Sequence, residues 1–107
     1  MFVCQWSLEI VFGKQQQALE IMKAWGAEKF RSSRFKKSRN RVYVGHIGES
    51  PSVIIDEYEF EDLEDFVVAL SEVGQPQFKQ FSDQIAPLIV PGTQKWKVFR
   101  VIDWRIL

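Results

Sequence analysis

One cysteine, one histidine and one asparagine are all that this 107-residue sequence offers of three residue types that carry much of enzyme chemistry. Cys4 has no partner for an internal disulfide, and cysteine-based metal clusters are excluded. Set in an apolar alternating segment, Cys4 reads as a buried, inert thiol in a reducing compartment. No serine stands at a suggestive spacing from His46, so a nucleophile–base pair has no support. Gly13, Gly45, Gly48 and Gly92 fall singly at turns or strand ends, and no glycine-rich phosphate loop exists. Apolar runs stay far short of the ~20 residues of a membrane span. The opening M-F-V-C-Q-W-S-L-E-I-V-F lacks a basic n-region and carries Gln5 and Glu9, so it reads as a strand and not as a signal peptide. The expectation is a cytoplasmic protein with no membrane partner, no metal and no cofactor.

Net charge is lacking too: 14 basic side chains balance 14 acidic ones, yet the two signs are segregated. Residues 29–41, K-F-R-S-S-R-F-K-K-S-R-N-R, hold seven of the basic residues, and residues 49–65 hold eight of the acidic ones. A nucleic-acid binder shows a basic balance over the whole domain, and no recognition helix or RNP-like motif accompanies this run. Phe30 and Phe35, interleaved with the cations, are the one feature that would suit stacking on single strands. Nucleic acid is therefore not expected as a partner. Architecture accounts for the run instead: Lys29 and Arg31 close a helix, Arg34, Lys36 and Lys37 occupy a connection, and Arg39 and Arg41 lead into a strand. The acidic stretch Glu49–Asp65 is their expected partner, within or between subunits.

What is abundant is apolar surface, 46% hydrophobic and 14% aromatic residues, enough for one compact domain over 1–107. Phe2, Cys4, Trp6, Leu8, Ile10 and Phe12 alternate with their neighbours, a strand signal that Gly13 breaks. Leu19, Met22, Trp25 or Gly26, and Phe30 then fall three or four apart, with Ala18 and Ile21 widening the stripe, and predict a helix from about Lys14 to about Ser32. Val42–Ile47 and Ser52–Phe60 read as a hairpin across Gly48-Glu49-Ser50-Pro51. A second helix begins after Asp62, is interrupted at Gly74-Gln75-Pro76, resumes with Phe78, Phe81, Ile85 and Leu88, and stops before Pro91-Gly92. Trp96–Trp104 is the last strand. The order β-α-β-β-α-β predicts an α+β, ferredoxin-like fold with an antiparallel four-stranded sheet in the order 4-1-3-2 and both helices on one face. Strands three and four show apolar residues at both parities, so the open face is expected to be covered by a second copy of the chain.

The chain resembles the dimeric α/β-barrel superfamily, and within it the NIPSNAP-like and antibiotic-biosynthesis-monooxygenase-like branches. The resemblance is carried by Gly13-Lys14 before a helix ending near Trp25, and by Tyr58-Glu59-Phe60 leading into Leu63-Glu64-Asp65-Phe66. It continues through Ala86-Pro87-Leu88-Ile89-Val90-Pro91-Gly92-Thr93 into Val98-Phe99-Arg100-Val101-Ile102, so that it runs in order along nearly the whole chain. It implies a homodimer with a cavity between sheet and helices, holding a small hydrophobic or aromatic molecule. Cofactor-free monooxygenases of the superfamily hold an aromatic substrate with Asn, Trp, His or Tyr side chains. Haem-degrading relatives add a histidine on the second helix, whereas residues 61–90 here contain none.

Candidate chemistry is sparse. His46, expected on the second strand, can change charge near neutral pH, with Asp56 across the hairpin as an orienting carboxylate. Asp56 and Tyr58 share one face of the third strand; if that face lines the cavity, the carboxylate is raised in pKa unless Arg100 or another cation pairs with it. The alternative parity turns Glu57 and Glu59 inward. Trp6 and Trp104, with Arg100, are the candidate ligand contacts, set against a structural role for the tryptophans in core and interface. Two functions remain open: a binding protein with a monooxygenase-like, cofactor-independent activity, or a non-enzymatic dimerisation module.

Overall fold

The computed structural model describes residues 1–107. The elements run β1 (Phe2–Glu9), α1 (Gln15–Ser32), β2 (Arg39–Val44), β3 (Val53–Phe60), α2 (Leu63–Val73), α3 (Lys79–Ile85) and β4 (Lys95–Arg100). All ladders are antiparallel and the sheet order is β2-β3-β1-β4, the expected order read from the other edge. The second helical region is broken as the Gly74-Gln75-Pro76 punctuation requires, with a 3-10 turn over Pro76–Phe78 between α2 and α3.

Four boundaries differ from the sequence reading, each for a local reason. β1 ends at Glu9 and not near Phe12: Ile10 makes only an isolated bridge to Ile89, and Phe12 is exposed ahead of the Gly13 turn. β2 starts at Arg39, because Arg39 and Arg41 pair with Glu59 and Glu57 across the ladder; its charged residues give no apolar alternation to read. It stops at Val44 because the chain folds back at once: a Cβ on Gly45 would lie 1.9 Å from the Ser50 carbonyl oxygen. β4 ends at Arg100, which pairs with Phe2, after which the Val101 N–H donates to the Met1 carbonyl and the ladder is finished. Trp104 lies beyond it on a 3-10 turn, Trp104–Ile106, although Val101 and Ile102 extend the apolar pattern.

Residue parity decides the two faces. Cys4, Trp6 and Leu8 of β1 and Ile54, Asp56, Tyr58 and Phe60 of β3 are buried beneath the helices. The core has two lobes. One gathers Trp6, Trp25, Ile54, Phe78, Phe81 and Ile85; the other gathers Cys4, Phe35, Tyr58, Phe60, Phe66 and Ala69. The opposite face carries Val3, Ile55 and Phe99, but also a polar row in which Gln5 Nε2 and Tyr43 Oη each donate to Glu57, both at 2.9 Å. It is therefore a mixed face and less apolar than the sequence reading expected, since Val42, Val44 and Val98 turn toward the helix side.

The basic run is split as expected, with one addition. Between α1 and β2 a 3-10 turn, Arg34–Lys37, drives Phe35 into the second lobe. Two serines bracket it. Ser33 Oγ donates to the Lys29 carbonyl at 2.7 Å and accepts from the Phe35 N–H, and Ser38 Oγ donates to the Phe35 carbonyl at 2.7 Å. Arg34 reaches the acidic stretch, its guanidinium donating to Asp65 at 2.7 Å.

Candidate functional site

Where α1 leaves the edge strand β2 uncovered, a cleft of about 510 Å³ opens between helix and sheet. Its walls are apolar: Leu19, Met22, Gly26, Ala27 and Phe30 from α1, and Val42 from β2. Its floor is polar, made by Asn40, Asp56 and Tyr58, with Lys23 exposed at the rim. No cluster of three or more His, Cys, Asp or Glu side chains is arranged to hold a metal ion.

The floor is a hydrogen-bonded array ending in a buried lysine. Tyr58 Oη donates to Asp56 Oδ2 at 2.6 Å, and Asn40 Nδ2 donates to Asp56 Oδ1 at 2.7 Å. Behind Tyr58, Lys29 Nζ donates to the phenol oxygen at 3.1 Å and lies 3.9 Å from Asp56 Oδ2, an ion-pair distance too long for a hydrogen bond. The side chains of Lys29 and Asp56 are 5% and 7% exposed. The rest of the ammonium faces aromatic rings, 4.2 Å from the Trp25 ring centre and 5.4 Å from that of Phe35, so it sits at the seam between the two core lobes. Cation–π attraction of this kind offsets part of the lost hydration.

Burial sets the protonation states. Desolvation lowers Lys29 to about 8, against the partial restoring pull of the Asp56 charge. Burial, the Asp56 charge and the hydrogen bond to it all raise Tyr58 well above the ordinary phenol range, so it is a neutral donor. Burial lifts the Cys4 thiol to about 11.

Lys29 has a consequence for stability. Its pKa is lower folded than unfolded, so the unfolded chain binds more protons and stability rises with pH from about 8 toward the free-lysine value near 10.4. Cys4 and Tyr58, raised in the folded state, oppose this as pH passes through their unfolded values. Urea melts at pH 7 and pH 9 should show wild type gaining about 1 kcal/mol relative to Lys29→Met, a comparison in which the Cys4 contribution cancels. Parallel curves for the two proteins would contradict a depressed Lys29.

Sequence reasoning placed Asp56 and Tyr58 on one face, and the structure brings them together on the cleft floor. Asn40 joins them. The cation that compensates Asp56 is Lys29 and not Arg100, which lies exposed on β4 at the opposite edge of the sheet. His46 is not on β2 but exposed in the hairpin loop; Asp56 pairs with Val42, so the carboxylate and the imidazole do not meet. Trp6 is buried in the core, edge-on to Trp25 at 5.7 Å and stacked with Trp96 at 6.4 Å, and does not line the cleft. Trp104 is exposed, away from it. Lys29 was missed because a cation in a helix's last turn is ordinary. The signal was spacing, since position 29 continues the buried stripe Ala18, Met22 and Trp25.

No protein-family model and no curated protein matches the chain. Solved structures do. A NIPSNAP family protein of unknown function from Agrobacterium tumefaciens superposes with a TM-score of 0.78 at 18% identity, covering 97% of this chain and 90% of that one. An uncharacterised NIPSNAP domain protein from Burkholderia xenovorans gives 0.76 at 17% identity over 97% of both chains. An antibiotic biosynthesis monooxygenase gives 0.69 at 12% identity, over 96% of this chain and all of that one (100%). The fold is thus the ferredoxin-like α+β arrangement shared by NIPSNAP and antibiotic-biosynthesis-monooxygenase-like proteins, in agreement with the resemblance read from the sequence. At these identities the likeness is one of fold.

Proposed function

We propose that this protein is a homodimer that binds a small apolar or aromatic molecule in the cleft between α1 and β2–β3, with Asp56 meeting its polar atom and Tyr58 holding that carboxylate in place. The observation that carries this reading is a buried, internally compensated polar array at the floor of an otherwise apolar cleft. Gly26 supports it. This glycine stands in the middle of α1, where it costs up to ~1 kcal/mol relative to alanine, yet a Cβ there would meet nothing within 4 Å. Packing does not demand glycine at this position, and the missing side chain leaves the cleft wider there.

The dimer rests on the other face. Val3, Ile55 and Phe99 form an apolar strip flanked by basic residues on the edge strands, Arg39, Arg41, Lys95 and Lys97, with acidic Glu57 and Glu59 between. Such a face is complementary in charge to a second copy of itself.

One set of samples tests both parts. Calorimetric titration with 2-naphthol, a neutral planar probe, should show saturable binding to wild type. Gly26→Ala should bind less tightly while gaining up to ~1 kcal/mol in urea, and Gly26→Leu should not bind. Sedimentation should give twice the chain mass throughout. Unchanged binding by Gly26→Leu would place the ligand elsewhere, and a monomer at micromolar concentration would remove the dimer. Cofactor-independent, monooxygenase-like turnover is the further step of this reading, tested by dioxygen uptake on adding the bound probe. Binding without uptake leaves a non-catalytic binding protein, and neither leaves an interaction module.

A further inference from the structure

We propose, on the reading that the cleft holds a ligand, that Lys29 fixes the charge class of that ligand without touching it, restricting the site to neutral molecules that carry a hydrogen-bond donor. The floor has few hydrogen-bonding groups left to offer. The Tyr58 hydroxyl is committed to Asp56 Oδ2, and the Asn40 amide to Asp56 Oδ1 and to the Glu57 carbonyl at 2.9 Å. The Lys29 donor that reaches this array is committed to Tyr58. What remains toward the cleft are acceptor lone pairs, those of Asp56 and of the Asn40 side-chain oxygen. A ligand that can only accept finds no donor on the floor, so the group it presents must be an O–H or N–H.

Charge narrows this further. Lys29 and Asp56 cancel one another at 3.9 Å, both nearly out of solvent. An anionic ligand would leave a surplus negative charge and a cationic one a surplus positive charge, each in a region of low dielectric where an uncompensated charge is costly. Lys23 at the rim is exposed, and solvent and salt screen it. With its proton lost only near pH 8, Lys29 keeps the site neutral at pH 7. Lys29 is absent from the cleft lining, so its influence passes through Tyr58 and Asp56. It is a positioning residue.

Four probes of one shape test this at pH 7: 2-naphthol, the cation of 2-naphthylmethylamine, the anion 2-naphthoate, and 2-methoxynaphthalene, which lacks a donor. Wild type should bind 2-naphthol about tenfold or more tighter than each of the others. Lys29→Met leaves the Asp56 charge unbalanced, and the preference should turn to the amine. Asp56→Asn removes the anion that keeps Lys29 protonated, so naphthoate should gain relative to 2-naphthol by restoring that proton, with proton uptake on binding. A loss of packing alone would weaken all probes together without inverting their order. Should a single variant fail to fold, Lys29→Met/Asp56→Val has no buried charge and should lose the discrimination between 2-naphthol and its methyl ether. Failure of every probe on wild type overturns the cleft reading and this inference with it. Tight binding of 2-naphthol with equal binding of the charged probes, or a double variant that still discriminates, overturns the inference alone.

Discussion

Replacing Asp56 by alanine should destabilise the protein by about 3–5 kcal/mol, read as a shift of the urea midpoint at pH 7. The loss has little to do with the volume removed. Lys29 would be left charged among Trp25, Phe35 and Tyr58 with no anion, and the Tyr58 hydroxyl would lose its acceptor. Lys29 can limit the electrostatic part by shedding its proton, which from about 8 costs only about 1.4 kcal/mol at pH 7; the Tyr58 hydroxyl and Asn40 amide left without their acceptor supply the rest. The informative companion is Lys29→Met/Asp56→Val. With both charges removed, no desolvated ion remains, and the double variant should recover most or all of the loss. A chain held together equally well without this pair keeps it for a reason other than stability, which is what a ligand site requires. If the double variant were as unstable as Asp56→Ala, the pair would be structural and the functional reading would lose its main support.

The second large effect concerns Phe35. It is fully buried, its ring centre 4.4 Å from Tyr58 and 5.9 Å from Phe60, although it is presented by a four-residue 3-10 turn and not by a helix or strand. Phe35→Ala should cost about 3–5 kcal/mol in the same urea assay. Alanine at exposed Lys36 or Lys37 should stay within about 0.5 kcal/mol. Arg34, tied to Asp65 at the surface, should lose no more than about 1 kcal/mol. This ordering separates two readings of K-F-R-S-S-R-F-K-K-S-R-N-R. If the run is architectural, its weight lies on the phenylalanine and on the serines that bend the chain around it. If it were a contact surface, the cations would matter and Phe35 would be free to change. A small loss at Phe35 would overturn the packing described here.

The contrast shows what the sequence made legible. Element order, sheet order and the broken helical region follow from hydrophobic period and from Gly and Pro punctuation, which are local signals. The shared face of Asp56 and Tyr58 was legible too, because parity along a strand is strict. Which parity faces the helices was settled only by packing, with Trp6 opposite Asp56 and Cys4 opposite Tyr58 under the same helices. Phe35 and Lys29 stayed hidden for a common reason. Each is one residue whose burial depends on partners distant in sequence, set within a stretch whose average character is charged. The ends of β2 and β4 were misjudged because strand ends are decided by the neighbouring strand. Arg39 and Arg41 extend β2 since Glu59 and Glu57 face them, and apolar Val101–Trp104 leaves β4 once the ladder to β1 is complete.

The central claim is that the cleft beside α1 is a ligand site whose floor is Asp56. A crystal structure of the protein soaked with 2-naphthol tests it most directly. The naphthalene ring should lie between α1 and β2, over Gly26 and Ala27, with its hydroxyl about 2.5–3.0 Å from an Asp56 oxygen. A cleft closed by repacked side chains, or a probe bound elsewhere while Asp56 keeps only Tyr58, Asn40 and Lys29 as neighbours, would contradict it.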